Sequence, residues 1–137
     1  MIAPGTDAVV IVSGGSQGTG RDVVRLLARR GYAIVIVYLD DQAGAEATVE
    51  EIFAADGTAV AVRADVTDDL DVERLFDETI AAFGSVDAVV HTTTHSAAVL
   101  SEHAGRHLQR GSALVGIETA EQITAAVAEL VASLHRR

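Results

Sequence analysis

The chain has 137 residues, nearly half of them apolar, with a formal net charge of −10 and no cysteine. This length predicts a single domain over residues 1–137, and the missing cysteines exclude both a disulfide framework and a thiolate zinc site. The acidic balance disfavours nucleic acid as a partner, and no apolar run reaches the roughly 20 residues of a membrane-spanning helix, so we expect a cytoplasmic protein without a membrane partner.

Five short apolar runs predict the strands of a parallel sheet. In chain order they are AVVIV from Ala8 to Val12, AIVIVY from Ala33 to Tyr38, AVAVRA around Val60, VDAVVH from Val86 to His91 and SALVGI from Ser112 to Ile117. Continuous Val-rich runs of this kind are typical of strands that are covered on both faces.

Helical patterns separate these runs. DVVRLLARRG ends at Gly31, AGAEATVEEIFAADG at Gly57 and DDLDVERLFDETIAAFG at Gly84. Each of these glycines stands where a left-handed helix cap is expected. The alternation of strands and helices predicts an α/β fold, a single three-layer Rossmann-like domain whose five-stranded parallel sheet has the order 3-2-1-4-5.

Other residues mark where helices begin. Asp68 precedes an acidic first turn, which suits the positive end of a helix. Thr119 and Gln122 have the spacing of a capping box before the last helical pattern, TAEQITAAVAELVASLHRR. The segment 92–110 is open at this stage, since its pattern fits one helix, a broken helix or a loop.

The turn SGGSQGTG, from Ser13 to Gly20, lies between the first strand and the first helix. At this switch point of a parallel sheet, a dinucleotide pyrophosphate can rest on the helix N-terminus. Gly14 would allow the tight turn, Gly18 would let phosphates approach the backbone, and Gly20 would let the helix pack closely on the strand. The alternative is a short connection that simply needs positive φ.

Two further motifs add to this turn. With ADVTD from Ala64 to Asp68 and DAVVH ending at His91, it resembles the short-chain dehydrogenase/reductase family over residues 7 to about 94. The family loop reads Thr-Gly-x-x-x-Gly-x-Gly, and here Ser13 replaces the threonine. The resemblance implies that NAD or NADP is bound by Gly14, Ser16, Gln17, Gly18, Thr19, Gly20, Tyr38, Leu39, Asp40, Asp65, Val66, His91 and Thr92.

The resemblance also assigns parts of the dinucleotide. Asp65 and Val66 would contact the adenine, and residues 38–40 would surround the adenosine ribose. Asp40 and Asp41 would repel a ribose phosphate, which favours NAD. Tyr38 also occurs in relatives that use NADP, so the choice between the two cofactors stays open.

The chain departs from the family after the fourth strand. The family has Asn-Asn-Ala-Gly around the nicotinamide ribose, where this chain has His91 followed by three threonines, so Thr94 replaces a glycine. Family catalysis uses a serine with a tyrosine and a lysine four residues apart. This sequence contains no lysine, and its tyrosines, Tyr32 and Tyr38, lie at the two ends of the second strand.

The resemblance therefore implies a dinucleotide-binding protein without the family's catalytic pair, non-catalytic or regulatory. A second interpretation is a structural subunit that has lost the cofactor and binds a partner, either a full-length reductase or a second copy in a homodimer. A third is a divergent oxidoreductase that uses His91 or residues of a partner. The last helix resembles one near the family's C-terminus, as though the segments between had been deleted.

Two groups of side chains have an ambiguous pattern. The spacing of His103 and His107 places both imidazoles on one helix face, where His91 or His95 could join them around a metal ion. They are also consistent with ordinary helix residues, and the sequence predicts no metal site. The arginines of the first helix are predicted to form a solvated face that balances an acidic protein.

Overall fold

The structure, a computed structural model, describes residues 8–16, 18–92, 97–107, 113–115 and 120–135. Strands and helices alternate along the chain. The strands are β1 Val9–Ser13, β2 Ala33–Tyr38, β3 Thr58–Arg63, β4 Ala88–His91 and β5 Ala113–Val115. The helices are α1 Gly18–Arg29, α2 Gln42–Ala54, α3 Asp69–Phe83, α4 Ala98–His107 and α5 Ala120–His135.

The strands form one parallel five-stranded sheet in the order β3-β2-β1-β4-β5. This confirms the predicted α/β, Rossmann-like topology. Strands β2 and β3 lie on one side of β1, and β4 and β5 lie on its other side, so the strand order reverses between β1 and β4. In such sheets, ligands bind at this switch point, outside the carboxyl ends of the strands. The register places Ser13 at the end of β1 beside Val37 on one side and His91 on the other.

Two apolar layers cover the sheet. On one face the core includes Val24 of α1, Ile52 of α2 and Val127 of α5. On the other face it includes Phe76 of α3 and Leu100 of α4. The sheet therefore lies between two helical layers, as the three-layer prediction required.

Strand β3 differs from its prediction. Strands β1, β2 and β4 are almost wholly buried, but β3 is only partly covered, and Val60 is 38% exposed. The expectation that this run is covered on both faces was wrong. The reason is its position, since β3 is an edge strand of the sheet and pairs only with β2.

Most helix ends follow the sequence pattern. Asp68 caps α3 by accepting a hydrogen bond from the Asp71 N–H at 3.0 Å, and Gly84 ends that helix in the left-handed conformation. After α2 the left-handed residue is Asp56, with φ of 64°, so the predicted cap at Gly57 was wrong. Asp tolerates this conformation better than most residues.

Two predicted features meet the limits of the described ranges. Thr119, and with it the proposed capping box, lies outside the described residues. Within the open segment 92–110, the structure has the helix α4. Among the helices of the described ranges, none is both long and apolar enough to cross a membrane.

Candidate functional site

The turn between β1 and α1 changes direction through glycines with left-handed backbone. Gly14 has φ of 82°, and its N–H donates to the Val37 carbonyl at 3.2 Å. Ser16 is buried beneath the turn, and Gly18 begins α1 with φ of 60°. Gln17, which the sequence also assigned to the site, lies outside the described residues.

Gly20 is the point where α1 packs directly on the turn. A Cβ at this position would lie 2.0 Å from the Gly14 carbonyl oxygen and 2.6 Å from Thr92 Oγ1. Because no side chain fits in that space, the first turn of α1 stays close to the ends of both β1 and β4. The predicted packing role of Gly20 thus has a direct geometric reason.

The opposite side of the same helix turn is open. Among the residues that the structure describes, nothing lies within 4 Å of a Cβ at Gly18, and Thr19 is exposed. The first turn of α1 carries no acidic residue. The first N–H groups of a helix have no carbonyl partner within it, and they lie at the positive end of the helix dipole. This open turn therefore fits an anionic group such as a dinucleotide pyrophosphate.

Beneath the turn, β1 and β4 are joined by polar contacts. Ser13 Oγ and His91 Nδ1 form a hydrogen bond of 2.5 Å, and both residues are 1% exposed. The Ser13 carbonyl accepts two more bonds from Thr92, from its N–H at 3.1 Å and from its hydroxyl at 2.7 Å. The side chain of His91 therefore lies in the interior and braces the turn.

Residues 93–96 lie outside the described ranges, and with them Thr94, which replaces the family glycine, and His95. Thr92 is half-buried beside Gly20, so it contributes to the wall of the turn.

The carboxyl end of β2 lies beside the turn. Tyr38 is half-buried and packs against the apolar layer of α1 and α2, Leu39 is half-buried, and Asp40 is exposed. Asp41 caps α2, since its carboxylate accepts a hydrogen bond from the Gly44 N–H at 3.1 Å. Of the two predicted repelling carboxylates, Asp41 is thus engaged in a helix cap and Asp40 faces solvent.

The loop after β3 is fixed by hydrogen bonds. Asp65 Oδ1 accepts from the Thr67 N–H at 2.9 Å and from the Thr67 hydroxyl at 2.6 Å. The Asp65 N–H donates to Asp71 Oδ2 at 2.9 Å, and Val66 is buried against the α3 layer. These bonds hold the loop against the start of α3.

The described site residues therefore share one edge of the sheet, at the carboxyl ends of β1 to β4. The bond between Ser13 and His91 was not predicted from the sequence. A signal for it existed, because the predicted order 3-2-1-4-5 makes the first and fourth strands neighbours, and these residues end them.

The arginines of α1 are exposed or half-exposed, as predicted for a solvated face, and two of them also pair with one carboxylate. Arg25 Nε donates to Glu51 Oε2 at 2.6 Å, and Arg21 Nη2 donates to Glu51 Oε1 at 3.1 Å. The hydrogen bond to Glu51 raises the pKa of Arg25, and the bond from Arg25 lowers the pKa of the Glu51 carboxyl. These two arginines connect α1 to α2.

The two histidines of α4 have different surroundings. His103 is buried, and its Nε2 lies 2.8 Å from Asp69 Oδ1 at the start of α3. His107 is exposed. Both rings stack on Phe76, with centroid distances of 6.1 Å for His103 and 5.0 Å for His107. The predicted common face exists, and it packs on α3.

Comparisons with known proteins agree with this geometry. The sequence profile of the short chain dehydrogenase family matches residues 8–110. An uncharacterized oxidoreductase of Methylorubrum extorquens is 36% identical over 103 residues, which are 74% of this chain and 42% of that protein. An L-rhamnose 1-dehydrogenase (NAD(P)(+)) of Azotobacter vinelandii is 44% identical over 88 residues, 62% of this chain and 34% of that protein.

A solved structure is also similar. The blue fluorescent protein from a metagenomic library, crystallised in complex with NADPH, has a TM-score of 0.57 and 35% identity. The likeness covers 61% of this chain and 34% of that one. The chain thus spans less than half the length of each of these relatives.

Proposed function

Because the chain belongs to the short-chain dehydrogenase family, we propose that residues 1–137 form one domain that binds NAD or NADP with its pyrophosphate at the turn between β1 and α1. The observation that carries the proposal is the contrast between two glycines of one helix turn. Gly20 has no room for a Cβ, whereas no residue of the described ranges lies within 4 Å of a Cβ at Gly18. The turn is therefore closely packed on the Gly20 side and open on the Gly18 side.

The remaining residues of the sheet edge would hold the rest of the dinucleotide. Backbone N–H groups at Gly18 and Thr19 would donate to the pyrophosphate. Asp65 and Val66 would flank the adenine, and residues 38–40 the adenosine ribose. A bound nicotinamide cofactor would accept a hydride in its oxidised form or donate one in its reduced form, while the protein would supply binding and orientation.

The relatives support this class of cofactor. The name of the Azotobacter enzyme includes NAD(P)(+), and the metagenomic protein was solved with NADPH. For this chain we propose a preference for NAD, because Asp40, the second residue after β2, is exposed, and a carboxylate there would repel the 2′-phosphate of NADP.

We further propose that these residues bind the dinucleotide in a non-catalytic or regulatory role. The family's proton transfer needs a tyrosine whose pKa a lysine lowers, and the sequence has no lysine. An unassisted tyrosine titrates near about 10. Tyr32 is 7% exposed at the start of β2, and Tyr38 is half-buried at its end. Association with a partner, either a second copy in a homodimer or a full-length reductase, stays a prediction. Sedimentation of the protein with and without dinucleotide would test it.

Calorimetric titration with NAD, NADH, NADP and NADPH tests the binding site, with Thr19→Glu as the decisive variant. A carboxylate in the first turn of α1 is favourable to the helix dipole, so the fold should be kept. The same charge would repel a pyrophosphate, and we expect at least about a tenfold loss of affinity, the equivalent of about 1.4 kcal/mol.

Thr58→Glu is the matched control, since Thr58 is exposed at the opposite end of the sheet, where β3 begins. It should bind like the wild type. Absence of binding by the wild type, or equal affinity of the Thr19→Glu and Thr58→Glu variants, would contradict the proposed site. Absorbance of NADH and NADPH with a panel of carbonyl compounds tests the non-catalytic role, which any enzyme-dependent hydride transfer would refute.

A further inference from the structure

A second cluster of polar side chains lies between the start of α3 and the middle of α4. It consists of Asp69, Glu102 and His103, which each offer one ligand atom within 4.8 Å of the others. Among the described residues, this group has histidine and carboxylate side chains close enough to share a metal ion. The dinucleotide site uses none of the three.

The imidazole of this cluster is held in place. His103 is 1% exposed, and its ring stacks on Phe76. Its Nε2 lies 2.8 Å from Asp69 Oδ1, while its buried Nδ1 has no hydrogen-bond partner in the described part of the chain. A single metal ion binds one of the two ring nitrogens, and Nε2 is the nitrogen that faces the Asp69 carboxylate.

The two carboxylates face solvent. The side chain of Asp69 is 63% exposed and that of Glu102 is 61% exposed, so an ion can reach the cluster without unfolding. They also stand close together in a protein of net charge −10, where a bound cation would relieve their repulsion.

The donor set and spacing suit one metal. Zinc takes imidazole nitrogen and carboxylate oxygen at about 2.0–2.2 Å in tetrahedral geometry, which sets its ligands roughly 3.3 Å apart. The cluster spans this value, from the 2.8 Å between His103 and Asp69 to the limit of 4.8 Å. We propose that Asp69, Glu102 and His103 bind Zn²⁺ and thereby clamp α4 to the start of α3.

A neighbouring cation competes for one of the ligands. Arg106 Nη2 lies 3.5 Å from Glu102 Oε1, one helix turn further along α4. Both side chains are more than half exposed, so this ion pair is weak and water can replace it. Zinc binding would require Glu102 to leave Arg106, which gives the proposal a variant that should strengthen binding.

The test is a titration of the full chain with Zn²⁺, followed by calorimetry, and with Co²⁺, followed by its visible absorption. Asp69→Asn and Glu102→Gln each remove one ligand at an exposed position. Since losing even a group that only orients a ligand weakens metal binding by about 10–100-fold, each variant should lose at least about tenfold in affinity.

Asp77→Asn on α3 and Glu121→Gln on α5 are the matched controls. Both residues are exposed, and each substitution removes one negative charge, as the test substitutions do. They should bind Zn²⁺ like the wild type. Arg106→Gln should bind it roughly twofold to fivefold more tightly, which is the range for an exposed ion pair.

Three results would overturn the proposal. They are no binding of Zn²⁺ by the wild type, wild-type affinity in either Asp69→Asn or Glu102→Gln, and equal losses in the two control variants. The second result would assign the ion to the other histidines, and the third to the general negative charge. The imidazole nitrogen resonances of His103 should also shift on titration in the wild type, and this readout is independent of any dinucleotide.

Discussion

The Ser13 hydroxyl and the His91 imidazole are hydrogen-bonded between the last residues of two neighbouring parallel strands, directly beneath the glycine turn. The bond arises from the order of the strands, because β1 and β4 are neighbours in the sheet. It joins β1 to β4 at the switch point of the sheet, where the strand order reverses. The turn above it is therefore supported by a buried polar contact as well as by the packing of Gly20.

The first prediction concerns this bond. Ser13→Ala removes a buried partner of the His91 ring, and leaving a buried polar group less satisfied should lower the free energy of unfolding by about 1–3 kcal/mol. Urea denaturation measures the change. Ser101→Ala is the control, because Ser101 is exposed on α4 and should change the stability by less than about 0.5 kcal/mol. Equal stability of the two variants would show that the bond contributes nothing.

The second prediction compares two glycines inside helices. Gly20→Ala would place a Cβ 2.0 Å from a backbone oxygen, so the turn must move, at a cost of about 3 kcal/mol or more. Within the described ranges nothing lies within 4 Å of a Cβ at Gly105 in α4, so Gly105→Ala should instead stabilise the protein by about 0.5–1 kcal/mol. Thermal unfolding of both variants distinguishes them. A Gly20→Ala protein with wild-type stability would contradict the close packing of α1 on the turn.

Local patterns in the sequence predict much of this fold. The predicted bounds Ala33–Tyr38 of β2 agree with the structure, because a short continuous apolar run between turn residues is typical of a buried strand. The start of α1 does not agree, since the helix begins at Gly18 and the apolar pattern begins only after Gly20. Glycines carry no helical pattern, and the packing of this turn on the sheet makes it helical.

Contacts between helices were the less predictable part. The sequence places His103 and His107 on one face, which the stacking on Phe76 confirms. It does not indicate that His103 meets Asp69, a residue 34 positions earlier. That contact depends on how α4 packs against the start of α3, and no local periodicity encodes such an arrangement.

The third prediction concerns the ion pairs between α1 and α2. The folded-state pKa of Glu51 is lowered, so its contribution to stability is present above the unfolded value near 4.5 and is lost as the pH falls through the folded pKa. The side chain of Glu51 is 40% exposed, so solvent screens the pair. Glu51→Gln should therefore cost at most about 1 kcal/mol near neutral pH.

Urea denaturation at a series of pH values tests this dependence. The difference in the free energy of unfolding between wild type and Glu51→Gln should shrink below about pH 4.5. It should also shrink in high salt, because the Debye length falls to about 3 Å at 1 M and exposed charges are then screened. Glu50→Gln is a suitable control, because Glu50 is the exposed neighbour on α2. A difference that grew as the pH fell would contradict the sign of the shift.

The last prediction concerns the choice of cofactor and depends on the proposed dinucleotide site. Asp40, the second residue after β2, is exposed, while Asp41 caps α2, so Asp40 is the carboxylate that would face a ribose phosphate. We expect Asp40→Arg to raise the affinity for NADP relative to NAD by at least about tenfold, because a guanidinium binds phosphate where a carboxylate repels it. Calorimetry with both cofactors measures the ratio. Asp77→Arg makes the same change of charge on the exposed face of α3 and should leave the ratio as in the wild type. If the two variants had the same ratio, the adenosine ribose could not lie beside Asp40, even if the dinucleotide bound at the glycine turn.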